Sequence, residues 1–347
     1  MASATMKAPL VSVCIANYNG EAVLANCIDS VLAQQGGIAL EILIHDDASC
    51  DSSLTLLRER YPHERYPFLR IIESSENVGF CIGNNRMAAC AKGDYLLLLN
   101  NDAVLAPDAL QTLLEAAQTQ TPQGILTLPQ LDWETGDLVD RGDLLDPFYN
   151  PIPNLDPARR DVGMVIGACL WIPRGLWEKL GGFPEWFESI AEDMQLCCHA
   201  RLAGYPVQVT EASFYRHRQG ASFGGNRVNA NRLATTYRRR RLSERNKTYV
   251  MILCSPPLRL WLALPIHLLL LAFEGIILAI IKRDRRLWKD IYANVFASLY
   301  ANVGQLRMER LRVQSARVHG SSPYAKGFLW MPRKLQMLIR HGFPSIR

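Results

Sequence analysis

The sequence predicts an α/β protein with a mostly parallel sheet and helices on both faces, followed by a basic, apolar helical region. Four times within the first 120 residues, a β-rich apolar run is followed by a polar loop and then by apolar residues at helical spacing. Repeated strand–loop–helix units of this kind form parallel sheets. Beyond residue 237 the sequence becomes Leu-rich and basic.

Composition and charge divide the 347 residues into two regions. With 49% hydrophobic and 20% charged residues, the chain is globular and neither disordered nor collagen-like. Residues 1–237 hold 17 Lys and Arg against 28 Asp and Glu, a net charge of −11, whereas residues 238–347 hold 21 against 5, a net charge of +16. We expect a catalytic domain over 1–237 and a membrane-associating region over 238–347. An acidic domain argues against nucleic-acid binding.

The four units give the first elements in order. In each, a polar loop follows the strand and a helix comes next. Tyr95–Leu99 (YLLLL) has no polar alternation, which is typical of a central strand covered on both faces. The predicted strands are Leu10–Ala16, Leu40–Ile44, Leu69–Ile72 and Tyr95–Leu99.

The rest of the acidic region is less regular. Gly124–Leu131 is predicted to continue the sheet, and Asp132–Arg160, rich in Pro, Asp and Asn, to form a long loop around a cleft. Gly163–Ile172 and Tyr205–Thr210 have the pattern of strands, and Glu192–Arg201 that of a helix.

The basic region contains one long apolar segment, Trp261–Ile281, of 21 residues, flanked by basic residues at both ends. At about 1.5 Å per residue it is just long enough to cross a bilayer core of about 30 Å. His267 and Glu274, seven residues apart, share one helix face, which also suits a helix lying in the membrane interface or packed on protein. Monotopic attachment, a single span or re-entrant hairpin, and a soluble helical subdomain therefore all remain open. Leu287–Leu306 is predicted to be one amphipathic helix.

The polar loops point to one ligand site, because the carboxyl ends of parallel strands meet at one edge of the sheet. Asp46 and Asp47 end the second predicted strand. A carboxylate there can accept the N3–H of uracil or thymine, or it can cap the next helix in a turn. Asn77, Gly79 and Asn84 form a small-residue loop and helix start near the phosphates or ribose of a nucleotide.

Asp102 follows the fourth strand and Asn100. A carboxylate in this place can hold Mg²⁺ or Mn²⁺ on a diphosphate, or it can cap a helix. Of Glu192 and Asp193, one can act as a general base, although two carboxylates at a helix start also complement the helix dipole. His217, between two arginines, can be a metal ligand, a phosphate ligand or simply solvated.

Together these motifs resemble the metal-dependent family 2 glycosyltransferases of GT-A fold, especially bacterial rhamnosyltransferase-like members. The resemblance covers nearly the whole chain. It runs through VSVCIANYNG, IHDDASCDSS, ENVGFCIGNNRMAACAKGDYLLLLNNDAVL, IGACLWIPRGLWEKLGGFPEWF, EDMQLCCHARLAGYPV, FYRH and RNKTYVMILCSPP.

The resemblance implies a role for each matching residue. Asp47, or Asp46 beside it, would bind the pyrimidine, and Asp193 would be the catalytic base beside Glu192. Asp102 would be the last aspartate of a D-x-D metal motif whose first position here is Asn100, so His217 gains weight as a second metal ligand. The remaining residues would contact the donor (Asn17, Tyr18, Asn19, Asn77, Gly79, Asn84 and Asn100) and the acceptor (Trp186).

The activity that the resemblance implies is inverting transfer of a sugar from a UDP- or dTDP-sugar to a saccharide or lipid-linked acceptor hydroxyl, with Mg²⁺ or Mn²⁺, in cell-surface polysaccharide or glycolipid synthesis. A non-catalytic nucleotide-sugar-binding scaffold of the same fold is the alternative, supported by Asn100. A nucleotidyltransferase would need a basic Gly-rich loop after the first strand, and Asn17–Glu21 has no basic residue. Since Leu10–Ala16 is too short for a signal peptide, we expect the protein at the cytosolic face of the membrane.

Overall fold

A computed structural model describes residues 10–218, 227–229, 232–318, 322–342 and 345–346. Its strands are β1 Leu10–Asn17, β2 Ala39–Asp46, β3 Leu69–Glu73, β4 Tyr95–Asn100, β5 Ala103–Leu105, β6 Ile125–Thr127, β7 Gln130–Asp132, β8 Leu138–Asp140, β9 Asp143–Leu145, β10 Pro151–Pro153, β11 Cys169–Pro173, β12 Val207–Val209, β13 Tyr215–His217, β14 Arg227–Asn229, β15 Arg232–Thr235 and β16 Ser345–Ile346. Its helices are α1 Leu24–Leu32, α2 Ser53–Arg60, α3 Phe80–Cys90, α4 Ala109–Thr119, α5 Arg174–Leu180, α6 Glu192–Leu202, α7 Tyr237–Cys254, α8 Pro257–Ile281, α9 Ala293–Ala301, α10 Val303–Ser315, α11 Ser322–Ala325 and α12 Arg333–His341, with a 3₁₀ turn at Glu185–Phe187 and a π-helical turn at Leu287–Tyr292.

The main sheet has seven strands in the order β12-β6-β11-β4-β1-β2-β3. The four predicted strands β1 to β4 pair in parallel, with β1 between β2 and β4. β11 lies antiparallel between β4 and β6. The prediction of a mostly parallel sheet is therefore confirmed, with one reversed strand inside it.

Alternate residues of the strands feed two cores, one on each face of the sheet, because successive strand side chains point to opposite sides. Val11, Val13 and Ile15 of β1 join one buried cluster with apolar residues of α1 and α4. Cys14 of β1 and Leu98 of β4 join the other with residues of α3, α5, α6 and α7. Helices thus cover both faces, as the unbroken apolar pattern of β4 predicts.

A second, four-stranded sheet with the order β5-β13-β7-β8 follows the end of β4. The structure corrects three segment boundaries that were predicted from the sequence. Gly124–Leu131 divides into β6 of the main sheet and the start of β7 of the second. Asp132–Arg160 is not one loop, since it contains β8, β9 and β10. In Gly163–Ile172 only the part from Cys169 onward is a strand, because residues 163–168 form an irregular segment in which Met164 makes an isolated bridge to Asp143.

The basic region begins with α7, which shares the core on the α6 side of the sheet through Tyr249, Val250 and Leu253. The division at residue 237 into two functional regions stays a prediction. Leu287–Leu306 is not one helix: it is a π-helical turn followed by α9 and α10, which are separated by Asn302 at φ −106°. The Asn302 amide donates to Ser298 O at 2.9 Å and Tyr249 Oη at 3.2 Å, which holds the break in place.

Candidate active site

The polar strand ends predicted to converge do meet at one edge of the main sheet. Asn17 at the end of β1 pairs in register with Asp46 at the end of β2, and Asn100 ends β4 beside them. Asn17 Nδ2 donates to Asp46 Oδ2 at 2.8 Å, and Asn17 Oδ1 accepts from Asn101 Nδ2 at 2.8 Å. These buried amides tie the three strand ends together.

The two adjacent aspartates do different work. Asp46 accepts from the backbone N–H of Ser49 at 3.0 Å and from its hydroxyl at 2.8 Å, in addition to Asn17, so it forms the turn that the alternative interpretation describes. Asp47 reaches to the next unit, where its two oxygens accept the N–H groups of Val78 at 2.7 Å and Gly79 at 2.9 Å. Asp47 therefore positions the loop that begins α3, and each of its oxygens retains a second lone pair.

The other residues predicted to contact the nucleotide-sugar donor differ in how far they are buried. Tyr18 is 52% exposed. Asn19 is exposed and left-handed at φ 51°, and it joins two loops by accepting from Cys50 N at 2.8 Å. Asn77 is exposed and donates to Asp47 O at 3.3 Å. Gly79, at φ 88°, begins α3, while Asn84 is buried inside that helix and donates to Phe80 O at 2.9 Å.

Asp102 and His217, 115 positions apart in sequence, lie side by side in the structure. β13 pairs with β5, which begins directly after Asp102, so His217 Nε2 lies 3.1 Å from Asp102 Oδ1. Although that separation is short, Asp102 Oδ1 is buried and has no aligned hydrogen bond. The other ring nitrogen, Nδ1, lies 3.3 Å from Gln130 Oε1. In the tautomer that carries its proton on Nδ1, the ring donates to Gln130 and the Nε2 lone pair faces Asp102.

This pair fits a divalent cation. Two adjacent ligands of an octahedral ion, each about 2.1 Å from it, lie about 3.0 Å apart. The 3.1 Å between His217 Nε2 and Asp102 Oδ1 matches that arrangement when the ring proton is on Nδ1. Within the described parts of the chain, no group of three or more His, Cys, Asp and Glu side chains could hold a metal. Ions of this class commonly take one or two protein ligands and fill the other positions with phosphate and water.

Glu192 and Asp193 begin α6 and are both buried. Burial raises the pKa of both carboxyl groups, and the adjacent Asp193 charge raises that of Glu192 further. Asp193 is held firmly: its Oδ2 accepts from Gly167 N at 3.0 Å and its Oδ1 from Met194 N at 2.7 Å. Glu192 Oε2 has no hydrogen-bond partner. Asp193 is therefore an oriented, buried carboxyl group of raised pKa, and Glu192 is a buried neighbour whose pKa lies well above its ordinary value.

The segment before Asp193 is strained and is clamped by α7. Glu188, Ile190 and Ala191 all have positive φ, between 66° and 71°, a costly conformation for residues with a side chain. The buried Asn246 Nδ2 lies within hydrogen-bond distance of the carbonyl oxygens of Phe187 at 2.9 Å, Ser189 at 3.0 Å and Ile190 at 2.8 Å. This clamp determines where Asp193 lies.

Several residues of the site are absent from the sequence-based set. The positive charge of Arg239 on α7 interacts with the carboxyl groups of both Asp193 and Glu192, and Asn246 binds the loop before them. Both lie in the stretch RRRRLSERNK, which has the pattern of a solvated basic helix. Asn246 also lies in RNKTYVMILCSPP, which is part of the family resemblance but predicts no role for this residue. Burial also raises the pKa of Asp140, to about 6, and that of Asp143 well above its usual range.

The predicted acceptor residue Trp186 is half-buried and packs on Tyr249 of α7, with ring centres 4.9 Å apart.

The mostly parallel sheet with helices on both faces, and a second small sheet beside its carboxyl edge, have the architecture of the GT-A class of glycosyltransferase fold. Residues 12–179 match the family described as Glycosyl transferase family 2. The chain thus carries a family 2 glycosyltransferase domain, and the predicted family and fold are confirmed.

Some known proteins resemble part of this sequence, and others share its fold. Chondroitin synthase of Escherichia coli is 37% identical over 56% of this chain and 27% of its own length. The N-acetylglucosaminyl-diphospho-decaprenol L-rhamnosyltransferase of Mycobacterium tuberculosis is 26% identical over 52% of this chain and 67% of its own length. The crystal structure of GalNAc-T7 with UDP, GalNAc and Mn²⁺ superposes with a TM-score of 0.57, covering 86% of this chain and 58% of that one, at 13% identity, which shows the fold alone. The chain spans between 18% and 27% of the chondroitin and hyaluronan synthases it matches.

Proposed function

We propose that this protein transfers a sugar from a UDP- or dTDP-sugar to an acceptor hydroxyl, with inversion at the anomeric carbon. The observation that carries the proposal is a connection between the two candidate chemical groups. Gly167 N donates to Asp193 Oδ2, and the next residue, Ala168, accepts from Asn100 N at 3.1 Å at the strand end that leads to Asp102. The Cα atoms of the consecutive residues Gly167 and Ala168 are about 3.8 Å apart. One short segment therefore contacts both the proposed base and the strand end beside the proposed metal site.

In this mechanism Asp193 removes the proton of the acceptor hydroxyl as the oxygen attacks the donor sugar on the face opposite the leaving diphosphate. A raised pKa suits this task, because a more basic carboxylate takes the proton more readily. Arg239 keeps the unprotonated form accessible by facing the buried pair with a positive charge. Glu192 supports the site as a neighbour and does not need to take the proton itself.

Asp102 and His217 would hold the divalent cation, which neutralises charge on the departing diphosphate when bound. We favour Mn²⁺ over Mg²⁺, because an imidazole nitrogen is a poorer ligand for Mg²⁺, which prefers oxygen. Gln130 fixes the histidine ring for this role. Asp47 would accept the N3–H of the pyrimidine with its free lone pairs, while its bonds to Val78 and Gly79 keep it in place.

The acceptor we propose is a saccharide, free or linked to a membrane lipid, in polysaccharide or glycolipid synthesis. Two relatives support this class by their names, one a chondroitin synthase and the other a transferase acting on a decaprenol-linked sugar. The structure contributes an apolar helix, α8, that is long enough to cross a membrane, with 22% of its most apolar stretch buried. Together they support activity at a membrane, which we place at the cytosolic face.

We further propose that α8 lies in the plane of the membrane and does not cross it. Its buried residues, His267, Leu271, Gly275 and Leu278, form one stripe that faces the protein. α7 runs antiparallel beside it, since Thr248 bonds His267 at 2.9 Å while Arg240, one end of α7, pairs with Glu274 farther along α8. If α8 crossed the membrane, the adjacent α7 would enter the bilayer with it and would carry Arg240, Glu244 and its other charged residues into the hydrocarbon region. Each of these charges would cost at least about 2.5 kcal/mol there.

Calorimetric binding of UDP, dTDP, GDP and ADP, each with and without Mn²⁺, tests the donor assignment. We expect metal-dependent binding of UDP or dTDP and not of the purine nucleotides, followed by sugar release from the matching donor pool when acceptor is present. Binding without any turnover, over a panel of lipid-linked and free saccharides, would favour the scaffold function. Absence of binding to all four nucleotides would contradict the proposal as a whole.

A further inference from the structure

The carboxyl group of Asp143 lies in the candidate active site, but the proposed mechanism does not use it. Asp143 begins β9 and is 8% exposed. Among the residues that the structure describes, none gives its side chain a hydrogen bond or an ion pair, yet its carboxyl oxygens keep contact with solvent. Because a nearly buried polar group without a partner is costly, this group suits a ligand that supplies the missing hydrogen bond.

A tight turn connects Asp143 to the proposed metal site. Gln130 of β7, whose side chain contacts His217, pairs in register with Asp140 of β8. Because paired residues of neighbouring strands point to the same face, Asp140 lies on the face that carries His217. Asp140 Oδ1 accepts from Gly142 N at 3.0 Å, in a turn where Gly142 has φ 72°. The turn brings Asp143 close enough to Asp140 for the two carboxyl groups to repel each other.

A second connection runs from Asp143 to the proposed base. The backbone of Asp143 pairs with that of Met164, with one N–H···O bond in each direction, at 2.9 Å and 3.0 Å. Three residues later, Gly167 N donates to Asp193 Oδ2 at 3.0 Å. These three steps of chain span at most about 11 Å. The negative charge of Asp193 also acts on Asp143, so one bound saccharide can contact both carboxyl groups.

The wall that carries Asp143 is built against the basic region and not against the strand ends proposed to bind the nucleotide. Leu145 O, at the other end of β9, accepts from Leu329 N at 2.7 Å. Arg333 N, at the start of α12, donates to Asp146 Oδ2 at 2.8 Å, and α12 in turn pairs with α8. Because α8 is the helix proposed to lie in the membrane, Asp143 is on the side from which a lipid-linked acceptor would arrive.

The charge of this region disfavours an acidic sugar. Four carboxyl groups repel one another across it, namely Asp140, Asp143, Glu192 and Asp193. Arg333 opposes this charge at Asp143, and Arg239 opposes it at the other two. A further carboxylate on the bound sugar would add to the repulsion. A sugar hydroxyl both donates and accepts hydrogen bonds, so it suits a carboxyl group in either protonation state.

We propose that Asp143 is a specificity-determining residue that hydrogen-bonds a hydroxyl of an uncharged acceptor sugar and disfavours uronic acids. The inference rests on the proposed transferase function and adds the charge class of its acceptor.

The test compares matched neutral and acidic sugars as ligands of the full chain, saturated with Mn²⁺ and with UDP or dTDP, whichever binds. The probes are the methyl glycosides of glucose, galactose and mannose and those of the corresponding uronic acids, so the members of each pair differ only at C6. NMR titration measures the affinities. We expect the wild type to bind at least one neutral glycoside about tenfold more tightly than its uronic acid, because like charges placed together are costly.

Two variants separate the charge of Asp143 from its hydrogen bond. Asp143→Asn removes the charge and keeps the shape, so the preference for the neutral glycoside should fall to about threefold. Asp143→Ala also removes the hydrogen-bond partner and should weaken binding of the neutral glycoside by about tenfold. The matched control, Asp137→Asn, removes an exposed carboxylate between β7 and β8 and should leave all affinities unchanged. Because the Asp143 side chain has no partner in the described residues, Asp143→Asn should not lower the midpoint of thermal denaturation.

Wild-type affinities that do not distinguish neutral glycosides from uronic acids, or a full preference that survives in Asp143→Asn, would overturn the inference. A lower denaturation midpoint in Asp143→Asn would also overturn it, since Asp143 would then have a structural role. Nucleotide binding without binding of any neutral glycoside would overturn the acceptor assignment and leave the donor assignment standing, whereas failure to bind any nucleotide would contradict the proposed function itself. If Asp143→Ala does not fold, the comparison rests on Asp143→Asn.

Discussion

Replacing Asn246 with alanine tests whether α7 sets the position of Asp193, the proposed base. Its side-chain amide has two N–H groups directed at three buried carbonyl oxygens, between 2.8 and 3.0 Å away. Leaving a buried carbonyl without its donor costs about 1–3 kcal/mol. Because two donors are lost, we expect Asn246→Ala to lower the free energy of unfolding by about 2–6 kcal/mol.

The effect on catalysis follows from the strain in the clamped segment. Three residues of positive φ precede Asp193, and each costs about 1–3 kcal/mol to maintain. Without the clamp the segment relaxes and Asp193 moves, and a displacement of about 1 Å reduces turnover by about 100-fold. Nucleotide affinity should stay unchanged, because Asn17 and Asp47 lie at the ends of β1 and β2, on strands that do not carry the clamp.

Steady-state kinetics, calorimetric nucleotide binding and urea denaturation on one set of proteins separate these effects. The matched control is Gln34→Ala, which also removes an amide that donates to two carbonyls, Ser30 O at 3.0 Å and Ala106 O at 2.8 Å. The Gln34→Ala variant should have a lower free energy of unfolding than the wild type, with little loss of turnover. If Asn246→Ala lost stability while keeping wild-type turnover, or if nucleotide affinity fell in parallel with turnover, the assignment of Asn246 as a positioning residue would be refuted.

Three further changes test the site and its support. Asp193→Asn should abolish transfer while nucleotide binding survives; loss of both, measured by calorimetry, would contradict its role as the base. Because burial raises the Asp193 pKa, the wild-type rate should fall on acidification at a higher pH than for an exposed aspartate, which a pH–rate profile at saturating donor measures. His217→Ala should weaken Mn²⁺-dependent nucleotide binding by about 10–100-fold, while metal-free binding is unchanged. Glu244→Gln leaves buried cations without their partner and should lower the free energy of unfolding by about 3–5 kcal/mol, measured in urea.

The parts of the fold that local sequence dictates are the parts the sequence predicts. Each of β1 to β4 is an apolar run ended by polar residues, and parallel pairing then brings Asn17, Asp46 and Asn100 to one edge without further information. Asp102 and Asp193 could be placed in the cleft for the same reason, since both follow or begin an element with a clear pattern. The roles assigned to them stay predictions.

Features that depend on distant contacts could not be read from the sequence. The approach of His217 to Asp102 requires β13 to pair with β5, and both strands are only three residues long. The periodicity of Leu287–Leu306 is helical throughout, yet the π-helical turn and the Asn302 break follow from packing. Gly275 of α8 shows why: a Cβ there would lie 2.5 Å from the Tyr292 ring, so α8 and the turn are closer than ordinary helix packing allows.

Helix α7, which clamps the segment before Asp193, also holds α8, so the proposed catalysis and the proposed membrane attachment share one support. Asn246 and Lys247 are adjacent and point about 100° apart on α7. Asn246 binds the segment before Asp193, whereas Lys247 joins the buried Glu244, whose other oxygen contacts Lys334 of α12 at 2.8 Å and Arg240 at 3.1 Å. Arg240 and Lys334 both also pair with Glu274 of α8. With α8 in the bilayer surface, as proposed, this network fixes the height of Asp193 above the membrane, and an acceptor lipid is selected partly by whether its hydroxyl reaches that height.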